Sequence, residues 1–313
     1  MTITQLQYVL AVAEYKNFTL AAQKCFVTQP TLSMQIQKVE EELQIKLFDR
    51  TKKPIQLTDI GQKIVNQAKN IVNEANRIQD IVQQEKGFIG GEFRLGIIPT
   101  VMPTLLPMFL NNFIKKYPKI KLIIEELNTN DIITKLNNGH LDAAIAATPL
   151  NEEKIKEVVL YFEPFVAYMP ENHQYFNKKE LLIDDIDLNE LLLLQDGHCF
   201  RDSVLNLCKN KTLSEINHFQ IESGSFETLI KLADEGLGTT LLPYLHTLNL
   251  NDKDKTKLRQ FVEPKPAREV SLIYPKTELK IHIIDALRST ISGVIKGAIA
   301  FQNVEIISPK PIK

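Results

Sequence analysis

Cys199 and Cys208 bracket eight residues in the stretch Leu194-Gln195-Asp196-Gly197-His198-Cys199-Phe200-Arg201-Asp202-Ser203-Val204-Leu205-Asn206-Leu207-Cys208, and two thiols so placed read first as a redox pair. An apolar run ends at Gly197, which delivers Cys199 at the mouth of a strand and the start of a short helix. His198 and Arg201 sit beside it, and each favours thiolate over thiol. With residues 200–208 helical, Val204, Leu207 and Cys208 share one apolar face and Cys208 enters the core. Nine residues of helix rise about 13.5 Å, whereas a disulfide needs Cα atoms about 4.4 to 6.8 Å apart. Oxidation must therefore refold the segment. Two other readings stand beside this one. Cysteine is among the most buried residue types, so the pair reads equally as inert packing. His198, Cys199, Cys208 and His218 are also zinc-ligand types, but adjacent His198 and Cys199 do not easily meet one tetrahedral ion, and no close C-x-x-C pair exists. No metal or cofactor is expected.

The chain that must position these thiols has 313 residues, enough for two or three units of ordinary size. It is 44% hydrophobic and 24% charged, a usual globular balance. No apolar stretch approaches the roughly 18 to 20 residues of a membrane span, and Met1 to Leu10 lacks the basic start and long apolar run of a signal peptide. The expectation is a cytoplasmic protein without a membrane partner. Three cysteines, an odd number, fit a reducing compartment. The net charge is −1, with residues 1–90 slightly basic and the remainder slightly acidic. Any nucleic-acid binding must then come from local placement and oligomer symmetry.

Local placement of that kind is visible in residues 1–58. Leu6, Val9, Leu10 and Ala13 mark one amphipathic helix. Leu20 to Cys25 mark a second, capped by Thr19. After a turn at Phe26 and Val27, Thr28 caps a third helix with proline in its first turn. Leu32, Ile36, Val39 and Leu43 face inward. Gln29, Pro30, Met34, Gln37 and Lys38 face outward, flanked by Thr31 and Ser33. A polar outer face of this kind suits a DNA major groove, where such side chains reach base edges and phosphates. A plain three-helix unit with a solvated face gives the same pattern. Leu47 to Thr58 then reads as two short strands around a basic tip, a wing that reaches phosphates with Arg50, Lys52 and Lys53. From 59 to 86 runs a long helix on which Ile64, Ala68, Ile71, Ala75, Ile78 and Val82 are spaced alternately by four and three. That spacing describes a coiled-coil seam needing a second subunit.

The Ala21-Ala22 helix, Thr28-Gln29-Pro30-Thr31-Leu32-Ser33, Leu47-Phe48-Asp49-Arg50 and Leu57-Thr58 with Gly61 closely resemble the DNA-binding half of LysR-type transcriptional regulators. The resemblance implies a winged helix-turn-helix on double-stranded operator DNA and a homotetramer built as a dimer of dimers through paired linker helices. It also implies RNA polymerase as a partner.

Gly87, Gly90 and Gly91 make residues 87–91 a hinge. Beyond it, from 92 to 313, strands and helices alternate. Strands are expected at Phe93–Ile98, Leu122–Glu126, Ala143–Ala147, Leu191–Leu194, Thr239–Leu242 and Val270–Tyr274. Helices are expected at Pro103–Lys116, Asn130–Asn138, Phe226–Glu235 and Leu279–Ile299. Such alternation implies an α/β fold with parallel strands and crossover helices. The layout resembles the two-lobed, periplasmic-binding-protein-like effector domain of the same family, with lobe one at 92–163 and 268–302 and lobe two at 164–267. Thr100, Thr129 and Cys199 each follow a strand and so aim at one cleft.

Within the family, Gly197 to Asp202 with Cys208 is similar to the members that sense hydrogen peroxide. Ile98-Pro99-Thr100, Thr129, Gly139-His140-Leu141-Asp142, His218-Phe219, Glu227-Thr228-Leu229 and Leu241-Leu242-Pro243 fit as well. This resemblance implies Cys199 as the peroxidatic cysteine and Cys208 as its resolving partner. It implies that Thr100, Thr129, His198 and Asp202 hold peroxide or a bridging water and that Arg268 stabilises the thiolate. Attack by the thiolate, with hydroxyl and imidazole donors at the departing hydroxide, gives a sulfenic acid that Cys208 then closes to a disulfide. Two further readings are a thiol peroxidase that turns over peroxide and a metabolite-binding regulator of the same family with incidental cysteines. Cys25 reads as packing within the second helix.

Overall fold

The computed structural model describes residues 1–85, 90–208, 223–299 and 304–309. The chain divides into two compact units, Met1–Phe88 and Ile89–Lys313.

The first unit contains α1 (Ile3–Tyr15), α2 (Phe18–Lys24), α3 (Gln29–Leu43), a hairpin of β1 (Phe48–Asp49) and β2 (Gln56–Leu57), and α4 (Asp59–Glu85). Caps set the helix starts. Thr2 and Gln5 close a capping box on α1, and the Thr28 hydroxyl accepts the Thr31 amide on α3 with Pro30 in the first turn. On α2 the cap is Asn17, whose side-chain Oδ1 accepts the Leu20 amide at 3.0 Å, and not Thr19. Asn17 has the extended backbone a cap needs, and Thr19 already lies inside the helix. Leu32, Ile36 and Val39 join Val9, Val12, Ala21, Ala22, Leu47 and Phe48 in one core. Gly61 lets α4 start against the hairpin, because a Cβ there would lie 2.1 Å from the Leu47 carbonyl oxygen.

On α4 the sequence-based seam divides. Ala68, with Val65 and Val72, is buried, and Ala68 and Val72 pack on Leu6 and Leu10 of α1. Ala68 therefore serves its own protomer, because α1 lies along that side of the helix. Ile64 and Ala75 are half-buried, and Ile71, Ile78 and Val82 are exposed.

The second unit comprises β3 (Gly91–Ile97), α5 (Met102–Lys116), β4 (Ile120–Glu126), α6 (Thr129–Asn137), β5 (Ala143–Thr148), β6 (Ile155–Tyr168), β7 (Glu180–Leu181), α7 (Cys199–Leu207), α8 (Phe226–Asp234), β8 (Thr240–Pro243), α9 (Tyr244–Thr247), α10 (Asp252–Lys255), β9 (Leu258–Phe261), β10 (Lys265–Pro275), α11 (Ile281–Ile295) and β11 (Val304–Ile306). The sheet order is β4-β3-β5-β10-β6-β9-β7, with β8 on β6 and β11 on β10. β3, β4 and β5 run parallel, as crossover helices require. The long strands β6 and β10 are antiparallel to each other, and β10 to β5, so the sheet is mixed rather than parallel throughout. These two strands run through both halves of the unit. On one side of them is a core built on Phe93, Leu95, Phe109, Ile145, Leu272 and Leu287. On the other is a separate core built on Phe165, Tyr168, Leu194, Phe200, Leu229 and Leu242.

The expected strand at Leu191–Leu194 is reduced to a single bridge between Leu191 and Thr239. The Thr240 hydroxyl takes the Leu192 carbonyl at 3.0 Å, the acceptor a further rung would need. Of the expected glycine hinge, residues 87–89 lie outside the described residues, and Gly91 begins β3. Among the described residues no helix is long and apolar enough to cross a membrane.

Candidate redox site

Gly197 adopts φ +89°, and the chain turns there into α7, whose first residue is Cys199. Phe200 fixes the helix by standing edge-on between Phe165 and Phe226, each ring centroid 5.1 Å away. The helix spans the two cores. Cys199 belongs to the cluster with Ile145 and Val270, whereas Phe200, Val204, Leu207 and Cys208 belong to the other. Cys208 caps the helix, with its amide on the Leu205 carbonyl at 3.1 Å. Both cysteines are buried, and neither is in a disulfide.

Burial pushes the Cys199 thiol above its ordinary pKa, and Asp202 adds to the rise. Arg268, the Thr129 hydroxyl and the Ala147 backbone oppose it without reversing it. The expectation that adjacent basic residues favour thiolate is thus corrected. Arg201 turns to Asp196 at 2.7 Å and to the Leu194 carbonyl at 3.2 Å. His198 lies toward Gly224 and Gln195, and burial lowers its pKa. The groups that favour a Cys199 thiolate come from other elements, namely α6, β5 and β10.

Arg268 is a fully buried guanidinium. It donates to Glu163 Oε2 from Nε at 2.9 Å and Nη2 at 2.7 Å. It also donates to the Thr100 hydroxyl at 2.8 Å and to the Thr100 carbonyl at 3.0 Å. Its Cζ stands 5.2 Å from the Phe200 ring centroid. Thr100 therefore holds Arg268. The Thr129 hydroxyl is cut off from solvent and, among the described residues, makes no hydrogen bond of ordinary geometry, its polar influence falling on Cys199. Asp202 is half-buried, and desolvation raises its pKa. The structure thus brings Thr100, Thr129, Asp202 and Arg268 to Cys199 and its surroundings, and turns Arg201 to Asp196, while His198 lies beside Gly224 with Glu126 acting on its charge. His218, named among possible zinc ligands, lies outside the described residues.

Sequence reasoning passed over Glu163 and Tyr161. Their signal is two polar residues at alternate, inward positions of an apolar strand, which in a sheet demand buried partners.

In the first unit Gln29, Pro30, Met34, Gln37 and Lys38 are exposed along α3, and Thr31 and Ser33 are half-buried. Lys52 and Lys53 are exposed at the hairpin tip. Arg50 is instead engaged within the unit, on Glu40 at 3.2 Å, on the Ser33 hydroxyl at 3.3 Å and over the Phe18 ring at 4.8 Å. Glu40, buried and overlooked in the sequence, also accepts the Leu47 amide at 2.8 Å. The buried carboxylate draws Arg50 inward, leaving the wing's free charge to the two lysines.

A three-helix DNA-binding unit with a wing, joined to a two-core α/β unit, defines a regulator with separate reading and sensing parts. Residues 3–62 match the bacterial regulatory helix-turn-helix protein model of the lysR family, and residues 86–293 match the LysR substrate binding domain. The chain belongs to the LysR family. It is 33% identical over 307 residues to the DNA-binding transcriptional dual regulator OxyR of Escherichia coli strain K12, covering 96% of this chain and 100% of that one. A full-length OxyR variant from Pseudomonas aeruginosa superposes with a TM-score of 0.74 at 33% identity, covering 93% of this chain and 98% of the other. A hydrogen-peroxide-bound cysteine variant of Corynebacterium glutamicum OxyR gives 0.65 at 26% identity, covering 97% and 98%.

Proposed function

We propose that this chain is a transcription regulator that senses hydrogen peroxide through Cys199 and answers by changing its grip on operator DNA. The observation that carries the reading is the single helix α7, which presents Cys199 to Arg268 and Thr129 in one core and holds Cys208 in the other. Peroxide attacked by the Cys199 sulfur forms an S–O bond as its O–O bond breaks, giving sulfenic acid and water. The Cys208 thiol then attacks that sulfur, a second water leaves, and a disulfide remains. Because the two sulfurs sit at opposite ends of a nine-residue helix, closure requires α7 to unwind.

The reading side is α3 with Gln29, Pro30, Thr31, Ser33, Met34, Gln37 and Lys38 toward the bases, and Lys52 and Lys53 toward phosphates. Two α4 helices pair along Ile64, Ile71, Ala75, Ile78 and Val82, and two such dimers form the tetramer. The protein works in the cytoplasm and acts on transcription with RNA polymerase. Mass spectrometry of Cys199 and Cys208 before and after one equivalent of peroxide per chain tests the sensor. A Cys199–Cys208 disulfide in the wild type, trapped sulfenic acid in Cys208→Ser and no change in Cys199→Ser are expected. A Cys199→Ser chain that still alters its operator footprint with peroxide refutes it.

A further inference from the structure

Glu163 lies directly across from Arg268 in the β6–β10 register, and Tyr161, two residues back on β6, shares its face of the sheet. The side chains of Glu163 and Arg268 are each 1% exposed. One carboxylate oxygen takes two guanidinium hydrogen bonds, and the other takes the Leu245 amide at 2.9 Å. Thr100 holds the opposite side of the guanidinium through its hydroxyl and carbonyl. Arg268 thus reaches Cys199 with its charge already answered at 2.7 Å. A cation so paired presents a dipole, whose field falls off faster than that of a free charge.

We infer that Glu163 is a positioning residue for the peroxide reaction, which by fixing and partly neutralising Arg268 sets how much that guanidinium stabilises a Cys199 thiolate. The inference rests on the reading of Cys199 as the peroxide-reactive sulfur. Attack needs the thiolate, and Glu163 keeps thiolate scarce in the resting protein while holding Arg268 where it can act. Arg268 faces Glu163 and Tyr161 from β6, Thr100 from the loop after β3, Cys199 from α7 and His246 from α9. Cys199 faces Arg268, Thr129 of α6, Asp202 of α7 and the Ala147 backbone of β5. Tyr161 stays neutral, since burial and Glu163 both raise its pKa. Of these groups Glu163 is the carboxylate bonded to the guanidinium.

The test uses the full chain carrying Cys25→Ser and Cys208→Ser, which leaves Cys199 as its single thiol. Its rate of alkylation by iodoacetamide is followed against pH. Glu163→Gln is expected to move the midpoint down by about one pH unit, giving about tenfold more thiolate below the midpoint. A residue with a structural role alone would lower the melting temperature and leave the midpoint in place, which overturns the inference. Combined with Arg268→Met, Glu163→Gln should add nothing to the midpoint of Arg268→Met alone, and a further shift overturns it too. Should Glu163→Gln fail to fold, Glu163→Asp keeps the charge but withdraws it by one methylene. A smaller downward shift supports the inference, and an unmoved midpoint refutes it. A Cys208→Ser chain that forms no sulfenic acid with peroxide would refute the peroxide reading, while the alkylation profile still decides the role of Glu163.

Discussion

At Cys199 the cost of burying a charge outweighs the cation, the hydroxyl and the amide aimed at the sulfur, and that balance has a consequence for stability. The folded thiol holds its proton to higher pH than the unfolded one. Its contribution to stability is therefore complete below the ordinary thiol pKa and is lost as pH rises through the folded value. Under reducing conditions the unfolding midpoint of the wild type should fall more steeply through alkaline pH than that of Cys199→Ser. Parallel profiles in urea titrations would contradict the protonated resting state. Arg50 gives a second test at this scale, because it bonds to Glu40 and Ser33. Arg50→Ala should destabilise the first unit by about 1–2 kcal/mol, through a buried carboxylate that loses its nearer cation and keeps Lys46 at 3.7 Å. Lys52→Ala should leave the melting temperature unchanged and lower the salt slope of DNA binding by about one. Equal effects of the two substitutions on both measurements would contradict this division. Cys199 and Cys208 were legible because their spacing and the apolar periodicity of residues 200–208 are local. Glu163 and Glu40 were not, because the partner of a buried charge is chosen by strand register or hairpin return, and Arg268 stands far from Glu163 in the chain.

At the scale of elements, α7 is tied down at its far end. The buried side chain of Asn206 donates to the Ser308 carbonyl at 2.8 Å, Ile307 enters the same core as Cys208, and β11 runs beside β10 just before Arg268. This tail lies beyond the segment that matches the LysR substrate binding domain, and on the proposed disulfide reading its tie to Asn206 restrains the helix that has to unwind. Removing one such bond, worth about 1 kcal/mol, should speed disulfide closure about fivefold. Asn206→Ala is therefore expected to form the Cys199–Cys208 disulfide faster after a peroxide pulse, with sulfenic acid formation unchanged. An unchanged closure rate in quenched-flow mass spectrometry would show that the tail does not restrain the helix. Most elements follow from the apolar pattern, as α3, α5 and α6 do from helical periodicity and β5 from a short continuous apolar run. Leu191–Leu194 misleads because an apolar run specifies burial without specifying a hydrogen-bonded neighbour, and here a threonine hydroxyl takes the acceptor. The antiparallel meeting of β6 and β10 is equally hidden, since about a hundred residues of chain separate their paired positions.

For the whole molecule, the long helix α4 carries two apolar stripes with different tasks. Val65, Ala68 and Val72 are buried within the first unit, with Ala68 and Val72 on Leu6 of α1, whereas Ile71, Ile78 and Val82 stay exposed. The heptad pattern in the sequence merges the stripes, because positions four and three apart recur on both and only the location of α1 separates them. Exposed isoleucines at heptad spacing on so long a helix cost solvation in a single chain and gain it in a pair, about 25 cal/mol for each Å² of apolar surface covered. Charge placed on each stripe should then fail differently. Ala68→Glu puts a carboxylate against Leu6 and should lower the melting temperature of the chain. Ile71→Glu with Ile78→Glu should leave the circular dichroism and melting of the dilute chain intact, while sedimentation shows smaller assemblies and operator affinity falls more than a hundredfold, since each half-site is then bound alone. A double variant that sediments and binds DNA like the wild type would remove α4 from the assembly, and one that unfolds would return both stripes to the core of a single chain.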